Sequence, residues 1–220
     1  MAEPEPEGLR LRLLTVNVNG LRTAFKSRAL LAYLTQVCYS PHVVMLQEVK
    51  IGDVQGLQAA LRKGAGTGLP WRGTVYYAPG TDDSRGVAVL VRRGGPHTGL
   101  PEAPTYACPQ GRLLRIDCDM LQHPLSLICV YAPTESDGSR RADFFTLAVL
   151  QQLPAGRTVL LGGDLNCVLQ AEDESHASAH RAAGAVQLDF VMRSASLQDA
   201  WRQQHPQARE GLQAAQAAER

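Results

Sequence analysis

Thr158-Val-Leu-Leu-Gly-Gly-Asp-Leu-Asn166 reads as a strand over Thr158–Gly162 that runs into two glycines, a carboxylate and an amide. The apolar, β-branched start and the glycine stop are strand signals. The polar residues at its end are not ones a core requires. Three other predicted strands end the same way: Val16-Asn-Val-Asn-Gly20, Leu46-Gln-Glu48 and Val130-Tyr-Ala-Pro133. Side chains two apart on a strand share a face, so Asn17 with Asn19, and Asp164 with Asn166, are expected to present paired oxygens. Open sheets collect ligands at the carboxyl ends of their strands.

Outward from these four ends the pattern is mixed. Strands are predicted over Leu9–Asn19, His42–Gln47, Thr74–Ala78, Gly86–Arg92, Leu113–Cys118 and Leu125–Tyr131. Helical spacing marks Ser27–Cys38, Val54–Lys63, Arg140–Leu153 and Gly184–Ser196. The order is β-α-β, then several strands in a row, then α-β-α. That order predicts an α/β fold, a layered sandwich and not a simple doubly wound sheet. A domain is expected over residues 9–206, after a short acidic, Pro-rich disordered lead-in at 1–8 and before an Ala/Gln-rich tail at 207–220.

Composition narrows the class. With 45% hydrophobic and 20% charged residues in 220, the chain is globular in type. A net charge of +1 argues for no polyanion coat and leaves a local basic groove open. Only Lys26, Lys50 and Lys63 of the 22 basic residues are lysines, and arginine suits forked phosphate contacts. Cys38, Cys108, Cys118, Cys129 and Cys167 include no Cys-x-x-Cys pair, so reduced, mostly buried thiols in an intracellular protein are expected. No apolar run reaches 18 residues, so no membrane span is expected.

Glu48, Asp164 and the amide oxygens of Asn17, Asn19 and Asn166 together make an oxygen-rich cage. Hard ligands of this kind suit Mg²⁺ or Mn²⁺, not zinc. Such an ion polarises a phosphate oxygen and lowers the pKa of bound water. Each element alone has a plainer reading. Gly-Asp-x-Asn after a strand is most often a turn with Asx capping. A lone glutamate at a strand end is usually a surface charge. Tyr131 could simply anchor a strand end. The combination in this order is far more specific than its parts.

Val16-Asn-Val-Asn-Gly-Leu-Arg22, Gln47-Glu48, Val130-Tyr-Ala-Pro133 and Gly163-Asp-Leu-Asn166 together resemble the endonuclease/exonuclease/phosphatase superfamily. That superfamily includes exonuclease III-type AP endonucleases, DNase I-like nucleases and the endonuclease domains of non-LTR retrotransposons. Ser84-Arg-Gly-Val-Ala-Val-Leu90 is similar to its glycine-led middle strand. Leu197-Gln-Asp-Ala-Trp-Arg-Gln-Gln-His-Pro206 is similar to a stretch of LINE-type endonucleases, and Asp173 also sits in that style. The resemblance covers residues 9–210. It implies a four-layer α/β sandwich, two packed mixed sheets flanked by helices, with a metal at one edge. Glu48 would be the principal ligand, helped by Asn17 or Asn19. Asp164 would orient or activate the attacking water or protonate the leaving oxygen, and Asn166 would hold the scissile phosphate or that water. Tyr131 would hydrogen-bond the phosphate. The implied reaction is phosphodiester hydrolysis in DNA with Mg²⁺ or Mn²⁺, no small-molecule cofactor, and a nuclear location.

The chain departs from the family pattern in one respect. The terminal Ser-Asp-His motif, whose histidine is essential to hydrolysis, does not occur in these 220 residues. His42, His97, His123, His176, His180 and His205 all sit in other settings. Matching members continue past His-Pro-x-x-Arg-Glu into aromatic-rich strands, whereas Gly211 here begins an Ala/Gln-rich run. The fold is therefore expected to lack its last strands, which would favour aggregation or partner binding. A positioned proton-transfer group is typically worth about 10² to 10⁴ in rate, so activity is expected to be weak or absent. The alternative reading is a catalytically silent relic or binding module with the same fold. An inositol phosphatase or sphingomyelinase on that fold is a third, against which the Trp201 segment argues.

Overall fold

The computed structural model describes residues 10–36, 40–63, 70–81, 85–134, 139–169 and 184–206. The expected lead-in, the tail and Asp173 lie outside them. The chain divides into two compact units, one of residues 1–131 with 154–164 and one of residues 132–153 with 165–220.

The first unit holds both sheets. Its elements are β1 (Leu13–Asn17), α1 (Ala24–Gln36), β2 (Val43–Gln47), α2 (Val54–Lys63), β3 (Gly73–Ala78), β4 (Val87–Arg92), β5 (His97–Thr98), β6 (Tyr106–Ala107), β7 (Leu113–Met120) and β8 (His123–Tyr131). After an excursion into the second unit, β9 (Thr158–Asp164) completes it. One sheet has the order β1-β2-β4-β3, with β1 and β2 parallel and the other pairs antiparallel. The other runs β5-β7-β8-β9, with β6 also on β7, and only β8 and β9 are parallel. Both sheets are thus mixed, as expected for the α/β sandwich.

Strand alternation explains the apolar runs. Val43 and Met45 of β2 and Val87, Val89 and Val91 of β4 face Leu114, Ile116, Leu127 and Cys129 of the other sheet. The intervening Val44, Leu46, Ala88 and Leu90 face Leu30, Leu31, Leu34, Leu57 and Leu61 of α1 and α2. Both faces of β2 are dry, so its sequence shows no polar alternation. Burying each of these aliphatic side chains contributes about 1.5–3 kcal/mol. Cys108, Cys118 and Cys129 are buried free thiols and Cys167 is half-buried, in line with the reduced-thiol reading; Cys38 lies outside the described residues.

Gly162 and Gly163 let β9 close onto its neighbours. A Cβ at Gly162 would meet Met45 Sδ at 2.9 Å. One at Gly163, whose φ is +145°, would stand 2.0 Å from the Val130 carbonyl oxygen. The two glycines bring Asp164 into register with Tyr131 at the ends of β9 and β8.

The second unit begins with α3 (Ser139–Asp143), which widens into a π-helical stretch, Phe144–Val149, and ends in a 3₁₀ turn, Leu150–Gln152. The sequence pattern had one helix over Arg140–Leu153. Phe144 and Phe145, at the start of the π-helical stretch, are both buried, with ring centroids 5.8 Å apart. Next come α4 (Ala185–Ser194), which buries Leu188 and Val191, and α5 (Ala200–Gln204). The buried Arg141 donates through Nε to the Pro133 carbonyl at 2.7 Å. No helix of the described residues is long and apolar enough to cross a membrane.

Candidate active site

Four strand ends of the first unit meet in side-chain contact. The parallel pair β1 and β2 carries Asn17 and Gln47-Glu48 side by side at its carboxyl end, with Asn17 in register with Gln47. The parallel pair β8 and β9 carries Tyr131 opposite Asp164. Asn17 joins the sheets. Its Nδ2 donates to Glu48 Oε1 at 2.8 Å and to Asp164 Oδ2 at 3.0 Å. Its Oδ1 accepts the Asn19 backbone N–H at 3.0 Å, so this oxygen is turned away from the carboxylates. The buried Gln47 donates to Thr15 Oγ1 at 3.1 Å and Cys129 Sγ at 3.3 Å, fixing the strand end behind Glu48.

The loops that follow are held in uncommon backbone conformations. Asn19 (φ +43°), Glu48 (φ +54°) and Lys50 (φ +55°) are left-handed, and so is Asn166 (φ +49°). Such a conformation costs a residue with a side chain about 1–2 kcal/mol and tends to gather at functional sites. Backbone bonds hold the first three there. Gly20 N–H donates to Glu48 O at 2.6 Å, Leu21 N–H to Val49 O at 3.0 Å, Val49 N–H to Gly86 O at 3.0 Å and Lys50 N–H to Arg85 O at 2.9 Å. Because β1 ends at Asn17 and β9 at Asp164, strand alternation does not reach Asn19 or Asn166. Asn19 stays with the cluster by another route: its Oδ1 accepts from Lys50 Nζ at 2.6 Å. Asn166 belongs to the second unit, where its Nδ2 donates to the Ala132 carbonyl at 2.9 Å. Asn17, Asn19, Glu48, Tyr131 and Asp164 are therefore brought together in the first unit, and Asn166 is placed in the other.

The electrostatics follow from these contacts. Burial pushes the Glu48 carboxyl upward, but hydrogen bonds from Asn17, Lys50 and Tyr131 outweigh it and hold the group below its ordinary value. Glu48 is thus an ionised carboxylate at neutral pH. Burial, then the bond to Glu48, pushes the Tyr131 phenol up to about 12, so it remains a proton donor. Among the described residues, Lys50, Lys26 and Arg112 border the cluster and carry no pattern that marks them in the sequence. Lys50 Nζ lies 2.8 Å from Glu48 Oε2. Lys26 Nζ donates to the Asn19 carbonyl. The Arg112 guanidinium lies 5.1 Å over the Tyr131 ring and donates to the Tyr131 carbonyl at 3.1 Å.

Glu48 Oε2 and Asn19 Oδ1 both converge on one cation, the Lys50 ammonium. The donor set is hard oxygen throughout, which fits Mg²⁺ or Mn²⁺ in chemistry. Among the described residues no three His, Cys, Asp or Glu side chains group into a metal cluster. Mg²⁺ often takes only one or two carboxylates and keeps several waters, so two carboxylates are sufficient in kind. Among the described histidines of the first unit, His42 and His97 sit at the amino end of β2, where His42 Nδ1 accepts the Arg12 N–H at 3.1 Å. His123 begins β8, eight residues from Tyr131.

The model of the Endonuclease/Exonuclease/phosphatase family matches residues 14–210. A Xenopus laevis relative, described as the Transposon TX1 uncharacterized 149 kDa protein, is 30% identical over 203 residues. The match takes in 90% of this chain and 14% of the relative's length. Two solved structures share the fold. An AP endonuclease from Archaeoglobus fulgidus gives a TM-score of 0.67 at 16% identity, over 91% of this chain and 76% of that one. The AP endonuclease LMAP from Leishmania major gives 0.62 at 20% identity, over 90% and 70%.

Proposed function

This chain belongs to the endonuclease/exonuclease/phosphatase family, with a transposon-protein relative, and from that premise we propose that it hydrolyses phosphodiester bonds in DNA with a divalent cation. One observation carries the reading. A single amide, Asn17, holds a carboxylate from each sheet, Glu48 and Asp164, at hydrogen-bond distance. Two carboxylates kept side by side are costly for a fold and useful to hydrolysis.

In this reading Glu48 and Asn19 would hold Mg²⁺ or Mn²⁺, which when bound would neutralise charge on the phosphate and lower the pKa of water. Asp164, fixed by Asn17, orients the attacking water and takes its proton. Tyr131, kept protonated, donates to a non-bridging phosphate oxygen. Lys50, Lys26 and Arg112 supply positive charge against the dianionic transition state. Asn17 acts by positioning, since its oxygen is spent on the Asn19 N–H. The role of Asn166 on the phosphate rests on the family resemblance alone.

A second reading, a DNA-binding module without turnover, is favoured by the placement of the described histidines of the first unit, all away from the cluster. The test is nicking of supercoiled plasmid in Mg²⁺ by this chain, Glu48→Ala and Asp164→Ala. Hydrolysis predicts slow nicking that both substitutions abolish. Plasmid binding without nicking supports the silent module and overturns the hydrolytic reading.

A further inference from the structure

Phe25 stands on the first turn of α1 with 77% of its surface exposed. Single exposed apolar residues are ordinary. The setting of this one is not. Its turn is locked to the backbone of the candidate site from several directions. Lys26 N–H donates to Thr23 Oγ1 at 3.3 Å, which caps the helix. The buried Ser27 hydroxyl donates to the Leu21 carbonyl at 3.1 Å. Leu21 N–H in turn donates to Val49 O at 3.0 Å, and Gly20 N–H to Glu48 O at 2.6 Å. Arg22 Nε donates to the Lys50 carbonyl at 2.6 Å, and Lys26 Nζ to the Asn19 carbonyl. The backbone turn that carries Phe25 is therefore held by a frame that ends on Glu48 and Lys50.

The charged side chains of this turn and of α1 are all basic. Arg22, Lys26 and Arg28 flank Phe25, and α1 has no acidic residue in Ala24–Gln36. An exposed aromatic ring among cations, on a turn bonded to the backbone of the loop that carries Glu48, is complementary to a nucleic-acid strand. The cations attract phosphates, and a ring face stacks on a base of any identity. A base paired inside a duplex offers no free face, so the ring selects an unstacked one. We propose that Phe25 is a stacking platform for an unpaired nucleobase of the bound DNA, with Arg22 and Lys26 attracting the phosphates on either side. The preferred substrate is then DNA carrying an unpaired base near the reacting phosphodiester. This rests on the reading of the site as one that acts on DNA.

The experiment is fluorescence anisotropy of the full chain in EDTA, where no cleavage intervenes. Two labelled oligonucleotides are compared, a perfect duplex and the same duplex with a short bulge. The wild type is expected to bind the bulged duplex more tightly. Phe25→Ala should lose about tenfold in affinity for the bulge, the scale of one base–aromatic stack, and little for the perfect duplex. Phe25→Tyr should keep the preference, and both variants should melt with the wild type because the side chain is exposed. Equal bulge binding by wild type and Phe25→Ala, with nicking still dependent on Glu48, overturns the platform and leaves the hydrolytic reading intact. Loss of self-association in Phe25→Ala without a change in DNA affinity assigns the face to a second copy and overturns the proposal. Failure of the wild type to bind or nick any DNA overturns the underlying reading as well.

Discussion

Replacing Asn17 by aspartate places a third carboxylate where a shared donor now sits. Asn17 Nδ2 is 2.8 Å from Glu48 Oε1 and 3.0 Å from Asp164 Oδ2. In Asn17→Asp those two contacts become oxygen against oxygen, with charge centres about 4 Å apart. A like-charge pair at that distance costs about 1 kcal/mol in water and about 4 kcal/mol at an effective dielectric of 20. Asn17 is exposed and the Glu48 side chain is 20% exposed, so the low end applies, about 1–1.5 kcal/mol for each pair. Asn17→Ala removes the two donated hydrogen bonds and the one accepted from the Asn19 N–H and adds no charge, a loss of about 1.5–3 kcal/mol in this exposed setting, of which aspartate keeps the accepted bond, about 0.5–1 kcal/mol. The aspartate variant should therefore be less stable than the alanine variant by about 1–2.5 kcal/mol at pH 7. The assay is urea unfolding at pH 7 and at pH 4, with and without Mn²⁺. The gap should narrow at pH 4 as carboxylates protonate. It should also narrow or invert with Mn²⁺, which binds only the folded site and gains a ligand there. Equal stabilities at pH 7, or a gap that persists unchanged at pH 4, would refute the placement of both carboxylates on Asn17.

Gly163→Ala should cost about 3 kcal/mol or more in urea unfolding, or prevent folding, because its Cβ would stand 2.0 Å from the Val130 oxygen. Gly156→Ala is the control: its φ is also positive, at +72°, but nothing lies within 4 Å, so about 1 kcal/mol is expected. The Glu48 carboxyl is held below its ordinary value of 4.5, so its stabilising contribution is complete above that pH and lost as pH falls through the lowered value. Acid titration followed by circular dichroism should accordingly show a shallower loss of stability below pH 4.5 in Glu48→Gln than in the wild type. A steeper loss in the variant would reverse that assignment.

The parts of the fold legible in the sequence are those with long, one-sided physical causes. β2 and β4 are buried on both faces and read as unbroken apolar runs, and α2 carries its amphipathic pattern over its whole length, Val54–Lys63. β5 and β6 have two residues each, too few for any period to show. α5 begins at an Asp199 cap whose side chain accepts the Arg202 N–H at 2.9 Å, a signal present in the sequence but masked there by the motif around Trp201. Polar residues at strand ends mark Asn17, Glu48, Tyr131 and Asp164, which the structure brings together with Asn19 of the loop after β1. What they could not show was the direction of Asn17, whose amide nitrogen and not its oxygen faces the carboxylates. Lys50, Lys26, Arg112 and Phe25 owe their positions to loop backbone pinned across the chain, and no spacing rule encodes that.

The central claim is that Glu48 and Asp164 form one hydrolytic site. The most direct test is a nicking cycle of wild type, Glu48→Ala, Asp164→Ala and the double variant in Mg²⁺. Groups acting as a unit lose activity together, so the double variant should be no worse than the more damaged single one. A double variant whose loss is the product of the two single losses, or nicking indifferent to both residues, would contradict it.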